Sequence, residues 1–269
     1  MQAQNSSLLT GHQRIAQAIA AAAQRKEPAI VAFLTAGFPI KARFIENLLL
    51  VANNADVVEI GVPFTDPMAD GMTIQRASHA ALAQGVSLAW ILTELSTLAT
   101  RPSAPLILMS YLNPLLAFGL DSLPDAALAA KVAGFIVPDL PFEESEPLRA
   151  ALQAKGIALI QMVTPVTPPA RLKALCTSAE GFIYAVTMTG TTGKAVTSVP
   201  DNVISYLQSV KAHASVPVCA GFGIRDRAQV QRLQPYIDGV IVGSALVEVL
   251  ENGGDAAAFL QNLHLADLK

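Results

Sequence analysis

The chain has 269 residues, 52% of them hydrophobic and 14% charged, with a formal net charge of −3. A chain this apolar supports one large core better than two small ones, which predicts a single domain over residues 1–269. No apolar run reaches 18 residues, no basic stripe is present, and His12, His79, His213 and His264 lack ligand spacing, so a membrane span, nucleic acid and a metal site are all disfavoured.

In chain order, the first predicted element is IAQAIAAAA, Ile15 to Ala23. Gln17 interrupts it and QRK ends it, which reads as an amphipathic helix rather than a secretory leader. Eight short apolar runs follow: AIVAFLTA from Ala29, DVVEIG from Asp56, PLILMS from Pro105, GFIVPD from Gly134, IALIQMV from Ile157, GFIYAV from Gly181, VPVCAG from Val216 and GVIVGS from Gly239. Near-continuous apolarity is the mark of strands covered on both faces, and the spacing is close to the ~30 residues of a βα unit. Between them, FEESEPLRAALQAKG, TPPARLKAL and SVPDNVISYLQSVK open on acids, Ser/Thr or Pro as helices do. The long interval between the second and third runs has room for the loop PFTDPMADG and two helices. Eight strands alternating with helices predict a (β/α)8 barrel, with an extra N-terminal helix and an enlarged loop after strand 2. A doubly wound open sheet is the alternative, because closure is invisible in a sequence. Cys176 and Cys219 fall far apart in a helix and a strand and are expected to be buried thiols of a cytoplasmic protein.

Within DVVEIG the strand period puts Val57 and Glu59 on one face. In a barrel one of the two faces looks inward, and Glu59 comes near the C-terminal end, where barrel enzymes build their sites. A structural ion pair with Arg or Lys is the competing reading. The loop after Gly61 carries Asp66 and Asp70 and is stiffened by Pro63 and Pro67, so it can return a second carboxylate over the barrel mouth. Two carboxylates in unlike environments suit proton transfer, one kept protonated by desolvation and the other ionised. For Asp66, a turn-stabilising role before Pro67 is the stronger reading.

AGFGIRD after strand 7 and VGSALVEVL after strand 8 each place glycines where a strand ends and a helix begins. Backbone N–H groups at such helix starts bind phosphate without a basic side chain, at the position this fold reserves for it. GFGIRD is not a dinucleotide fingerprint, since Asp226 stands where the third glycine belongs, and GTTGK fails as a P-loop because Thr189 and Ala195 occupy required positions. TMTGTTGKAV reads instead as a glycine-hinged lid.

VEIGVPFTDPMADG, GFIVPDLPFEES, the glycine loop after strand 6, AGFGI and VGSA, in this order, resemble the tryptophan synthase alpha subunit family from about Ile30 to the C-terminal helices. The resemblance implies a (β/α)8 barrel that cleaves indole-3-glycerol phosphate to indole and glyceraldehyde 3-phosphate, in tryptophan biosynthesis. It implies no cofactor on this chain and an α2β2 assembly with a beta subunit that carries pyridoxal phosphate. By the same resemblance Glu59 is the principal acid/base, Asp70 the carboxylate at the indole N–H, and Tyr184 a tyrosine positioning the reacting group. Phe33, Met109, Ile136 and Ile241 would line the indole pocket, although core packing is the stronger reading of each from sequence alone. Thr192, Gly193, Phe222, Gly223, Gly243 and Ser244 would complete the substrate and phosphate site.

The sequence departs from the family pattern at Gly37-Phe38-Pro39, where Gly-Asp-Pro is common, at Met72, where Pro usually follows ADG, and in the strand 6 loop at Met188 and Thr191. These positions bear on loop closure and partner contacts. A different sugar-phosphate barrel enzyme, or a catalytically weak barrel that activates a partner, are the alternative functions.

Overall fold

The computed structural model describes residues 9–187, 199–221 and 223–265. Its strands are β1 (Ala29–Thr35), β2 (Val57–Gly61), β3 (Leu106–Met109), β4 (Val132–Ile136), β5 (Ala158–Val163), β6 (Ile183–Val186), β7 (Val218–Gly221) and β8 (Gly239–Val242). All neighbours pair in parallel and β8 returns to β1, so the sheet closes into a barrel and the open-sheet alternative falls. Around it run α1 (Gly11–Gln24), α2 (Phe44–Ala52), α3 (Met72–Ala83), α4 (Leu88–Ser96), α5 (Leu112–Phe118) and α6 (Leu123–Ala129). The ring is completed by α7 (Glu146–Gln153), α8 (Pro169–Thr177), α9 (Asp201–His213), α10 (Arg227–Leu233), α11 (Ser244–Glu251) and α12 (Ala256–Leu263).

The strands read as unbroken apolar runs because both faces are covered: every residue of β1 and β2 is buried. Register decides which side chain goes where. Val31 pairs with Val57 and Phe33 with Glu59, so these share the inner face, while Ile30, Leu34, Val58 and Ile60 pack outward under the helices. α3 and α4 fill the interval after β2 as expected. The interval after β3 also holds two helices, α5 and α6, which the sequence reading did not resolve because Pro114 interrupts the apolar segment there. β4 begins two residues earlier than expected, at Val132, since Val132 and Ala133 are buried as well.

The bottom of the barrel is stoppered by α1. Its buried Ile15, Ile19 and Ala22 join Ala29, Val31, Ala133, Ala158 and Phe182 in the inner core, and each isoleucine contributes roughly 2 kcal/mol by burial. Close approach depends on glycine. A β-carbon on Gly11 would sit 2.1 Å from the Ala133 carbonyl oxygen, and one on Gly134 would sit 3.2 Å from Ile15 Cδ1. With its lower end closed, the barrel is left with one open mouth, at the C-terminal ends of the strands.

Candidate active site

Glu59 is the one charged residue within the eight strands. It faces inward on β2, opposite Phe33 on β1 and Ile107 on β3, and is only 1% exposed. Its Oε2 is buried without a hydrogen-bond partner, and no Arg or Lys pairs with the carboxyl, among the described residues. Burial raises the carboxyl from 4.5 to about 8, and the negative charge of Asp70 adds to the rise. At neutral pH the group therefore holds its proton.

Asp70 comes over this mouth on the loop between β2 and α3. Pro63 and Pro67 are buried and stiffen the loop. Asp66 is exposed, accepts a hydrogen bond from the Thr65 hydroxyl, and its carbonyl accepts from the Met68 amide, so it is the turn residue the sequence suggested. Asp70 is half-buried; its amide donates to Pro67 O and its carbonyl accepts from Gln75 Nε2 at 2.8 Å. Burial raises its carboxyl to about 6, against the opposing pull of a hydrogen bond at Oδ2 from the Tyr111 hydroxyl, 3.2 Å away. Glu59 and Asp70 thus sit on opposite sides of neutrality, one a proton donor and the other an anion.

Tyr111 went unnoticed in the sequence. It follows β3, its ring stacks on Phe64 with centroids 5.2 Å apart, and its hydroxyl oxygen also accepts from the Ala69 amide at 2.9 Å. Burial and the nearby Asp70 charge hold its phenol protonated. An aromatic just past a barrel strand was the available signal, but nothing in the sequence joined it to an aspartate 41 positions earlier.

Tyr184 lies on the inner face of β6 beside Cys219 of β7, and burial together with the Glu59 and Asp70 charges raises its phenol well above the ordinary value. Glycines make room for both site aromatics. A β-carbon on Gly61 would lie 2.5 Å from Phe33 Cζ, and one on Gly221 would lie 2.7 Å from Tyr184 Oη. Met109 and Ile136 end β3 and β4, and Ile241 is the penultimate residue of β8, on the same inner face, with Ile136 and Ile241 buried and Met109 half-buried. With Phe33, they give the mouth an apolar wall.

The two glycine-bearing turns differ at their helix starts. α10 is capped by its own chain, because the Asp226 carboxylate accepts from the Gln229 amide at 2.8 Å. α11 starts at Ser244 behind Gly243, which brings no side chain to cap its first amides, so among the described residues no side chain occupies them, as an anion at a helix start would require. Gly223 holds φ +80°, a conformation that favours glycine. Arg225 does not serve this end: its guanidinium clasps Glu248 through contacts of 2.8 and 3.1 Å. A β-carbon on Gly243 would come within 3.8 Å of Phe33, which ties the anion end to the apolar wall. Thr192, Gly193 and Phe222 lie outside the described residues, as does the loop from 188 to 198.

A cavity of about 280 Å³ opens beside this mouth, where Pro138, Phe142, Gln161 and Met162 border the ends of β4 and β5; its lining includes neither Glu59 nor Asp70. Among the described residues no cluster of His, Cys, Asp or Glu could hold a metal ion, no helix is long and apolar enough to cross a membrane, and both cysteines are free and buried.

Comparison with known proteins places this geometry. The sequence model of the family described as tryptophan synthase alpha chain matches residues 19–266. The chain is 45% identical over 240 residues to a tryptophan synthase alpha chain of Carboxydothermus hydrogenoformans, covering 89% of this chain and 90% of that protein. It is 44% identical over 257 residues to that of Solidesulfovibrio magneticus, covering 95% and 98%. Among solved structures it is similar to tryptophan synthase from M. tuberculosis in an aminoacrylate-bound form, with a TM-score of 0.83, 31% identity, and coverage of 93% of this chain and 97% of that one. Closed barrel, paired carboxyls and matched sequence agree: the chain belongs to the tryptophan synthase alpha chain family.

Proposed function

We propose that this chain cleaves indole-3-glycerol phosphate to indole and glyceraldehyde 3-phosphate, as the tryptophan-forming lyase subunit. The observation that carries the reading is the buried Glu59, its Oε2 without a partner among the described residues and its carboxyl protonated at neutral pH, beside an Asp70 that is ionised there. The Glu59 carboxyl delivers its proton to indole C3, and positive charge grows on the ring nitrogen, whose N–H faces the Asp70 carboxylate. The Glu59 carboxylate then takes the proton of the hydroxyl on the side-chain carbon bonded to C3. As that C–O bond becomes a carbonyl, the C3–carbon bond breaks and its electron pair returns to the ring. Indole leaves neutral and Glu59 recovers its proton, so the cycle closes with no outside acid, base, metal or organic cofactor. Phe33, Met109, Ile136 and Ile241 hold the indole, Tyr184 orients the reacting group, and the backbone amides near Gly223, Gly243 and Ser244 take the phosphate, with Thr192, Gly193 and Phe222 assigned to the same end by resemblance.

The partner in this reading is a beta subunit carrying pyridoxal phosphate, in an α2β2 assembly in the cytoplasm. Exposed Met68 and Met72, at 83% and 77%, flank Asp70 and support docking on the loop that delivers it. A partner there raises activity by favouring the closed arrangement, to the extent that this is poorly populated in the chain alone.

The test is indole release from indole-3-glycerol phosphate by the purified chain, alone and with the beta subunit of the same organism. Release in both conditions, at least roughly tenfold faster with the partner, is expected; that gain needs about 1.4 kcal/mol of barrier. No indole in either condition would end the reading.

A further inference from the structure

The Asp70 carboxylate is tethered at one oxygen only. Oδ2 accepts from the Tyr111 hydroxyl at 3.2 Å, whereas Oδ1 has no hydrogen-bond partner among the described residues. The same hydroxyl accepts from the Ala69 amide at 2.9 Å, so its donor and an acceptor position are both committed to consecutive residues of one loop. The ring is fixed too, being 4% exposed and stacked on Phe64, which belongs to that loop. Tyr111 follows directly on β3 and Ser110, whose amide bonds Ile136 O at the end of β4. The tether therefore runs from the loop between β2 and α3 to the end of the barrel strands.

We propose that Tyr111 is a positioning residue: its hydroxyl pins Asp70 Oδ2 and the Ala69 amide to the rim of the barrel, leaving Oδ1 as the oxygen that meets the ring N–H of the substrate. This rests on the function proposed above. A carboxylate on a proline-flanked loop can rotate about its last torsion, and a donor at one oxygen selects one of two faces. Because the hydrogen bond favours the ionised form, the tether also keeps Asp70 anionic next to a buried carboxyl. The groups facing Asp70 are Glu59 from β2, Tyr184 from β6 and Tyr111 after β3, with Asp139 acting on Tyr111 from the loop after β4.

Tyr111→Phe keeps the ring on Phe64 and removes the hydroxyl, and Tyr111→Leu removes both. With indole-3-glycerol phosphate as substrate, Tyr111→Phe should lower kcat about 10- to 100-fold with KM changed less than threefold, because misplacing one reacting group costs on that order while the phosphate end is untouched. The titration of the Asp70 carboxyl, followed by 13C NMR, should move to higher pH in Tyr111→Phe. Parental kcat and an unmoved titration in Tyr111→Phe would overturn the proposal, and losses confined to Tyr111→Leu would assign the effect to stacking instead. If Tyr111→Phe did not fold, 3,5-difluorotyrosine incorporated at position 111 keeps ring and hydroxyl but donates more strongly, and it should lower the Asp70 titration; no movement would refute the tether. Should the parent release no indole, the function fails, while the Asp70 titration still decides the tether independently.

Discussion

Replacing Glu59 by glutamine should strongly slow indole release and, above neutral pH, make the chain more stable. Glu59 is 1% exposed and its folded carboxyl titrates at about 8 against 4.5 for the ordinary group. Below 4.5 both folded and unfolded chains carry the proton and the site costs nothing. As pH rises from 4.5 to 8 the unfolded chain releases its proton while the folded chain keeps it, so stability falls through this window and levels off above 8. At 1.36 kcal/mol per pKa unit, the distance from 4.5 to 8 is worth about 5 kcal/mol at pH 9. Glutamine has the same size and no proton to lose, so Glu59→Gln escapes the whole decline, a gain on the order of 10 °C in Tm at pH 9. Asp70, raised to about 6, bends both curves alike at lower pH, which leaves the interval from 6 to 8 as the signature of Glu59. Urea unfolding at half-unit steps from pH 5 to 9 measures it, and parallel curves for the two proteins between pH 6 and 8.5 would refute the reasoning. In the same series turnover should drop by about 10²–10⁴-fold, the usual contribution of a general acid–base. For the parent, kcat/KM should rise through about 6 as Asp70 ionises and fall through about 8 as Glu59 loses its proton.

Gly221→Ala would press a β-carbon to 2.7 Å from Tyr184 Oη, so it should cost about 1–3 kcal/mol of stability and slow indole release; a variant with parental melting and rate would show that the ring has another place to go. Arg225→Ala breaks the clasp on Glu248 and should lower stability by about 0.5–1 kcal/mol, yet change inorganic phosphate binding less than threefold by calorimetry, since the backbone of α11 supplies the donors. Abolished binding would move the phosphate site onto that guanidinium. Thr35→Val removes a hydroxyl that is buried at the end of β1 with no partner among the described residues, and should raise stability by about 1 kcal/mol in chemical unfolding; an equal loss would mean that the hydroxyl is satisfied in solution.

Strands were legible in the sequence because a barrel buries both faces of each one, which leaves apolar runs such as AIVAFLT and GVIV with no polar interruption. Glu59 was legible for the same reason, as the single charge inside such a run. Closure was not, since pairing of β8 with β1 joins residues 210 positions apart and no local pattern encodes it. α5 was missed because Leu112–Phe118 contains Pro114 and starts directly after β3, so the apolar stretch reads as one broken segment. Tyr111 was missed because its meaning lies entirely in a partner on another loop. The difference between the two glycine turns was also hidden. GIRD and VGSA both put a glycine before a helix, and only the fold reveals that one helix is capped by an aspartate while the other has no side-chain cap among the described residues.

The stopper at the bottom of the barrel has a consequence for synthesis. α1 is made early, but the surfaces that shelter Ile15 and Ile19 come from Ala133, Ala158 and Phe182, far later in the chain. At 5–20 residues per second the ribosome needs on the order of ten to thirty seconds to deliver them. Until then only Ala29, Val31, Val57 and Ile107 of that core's other buried residues have been made, so most of the apolar stripe stays uncovered, and its propensity alone leaves so short a segment only marginally helical. The nascent chain therefore emerges with a greasy leading segment that must be shielded by a chaperone or parked on incomplete strands, and ribosome profiling of chaperone contacts should find them clustered before β6 is released.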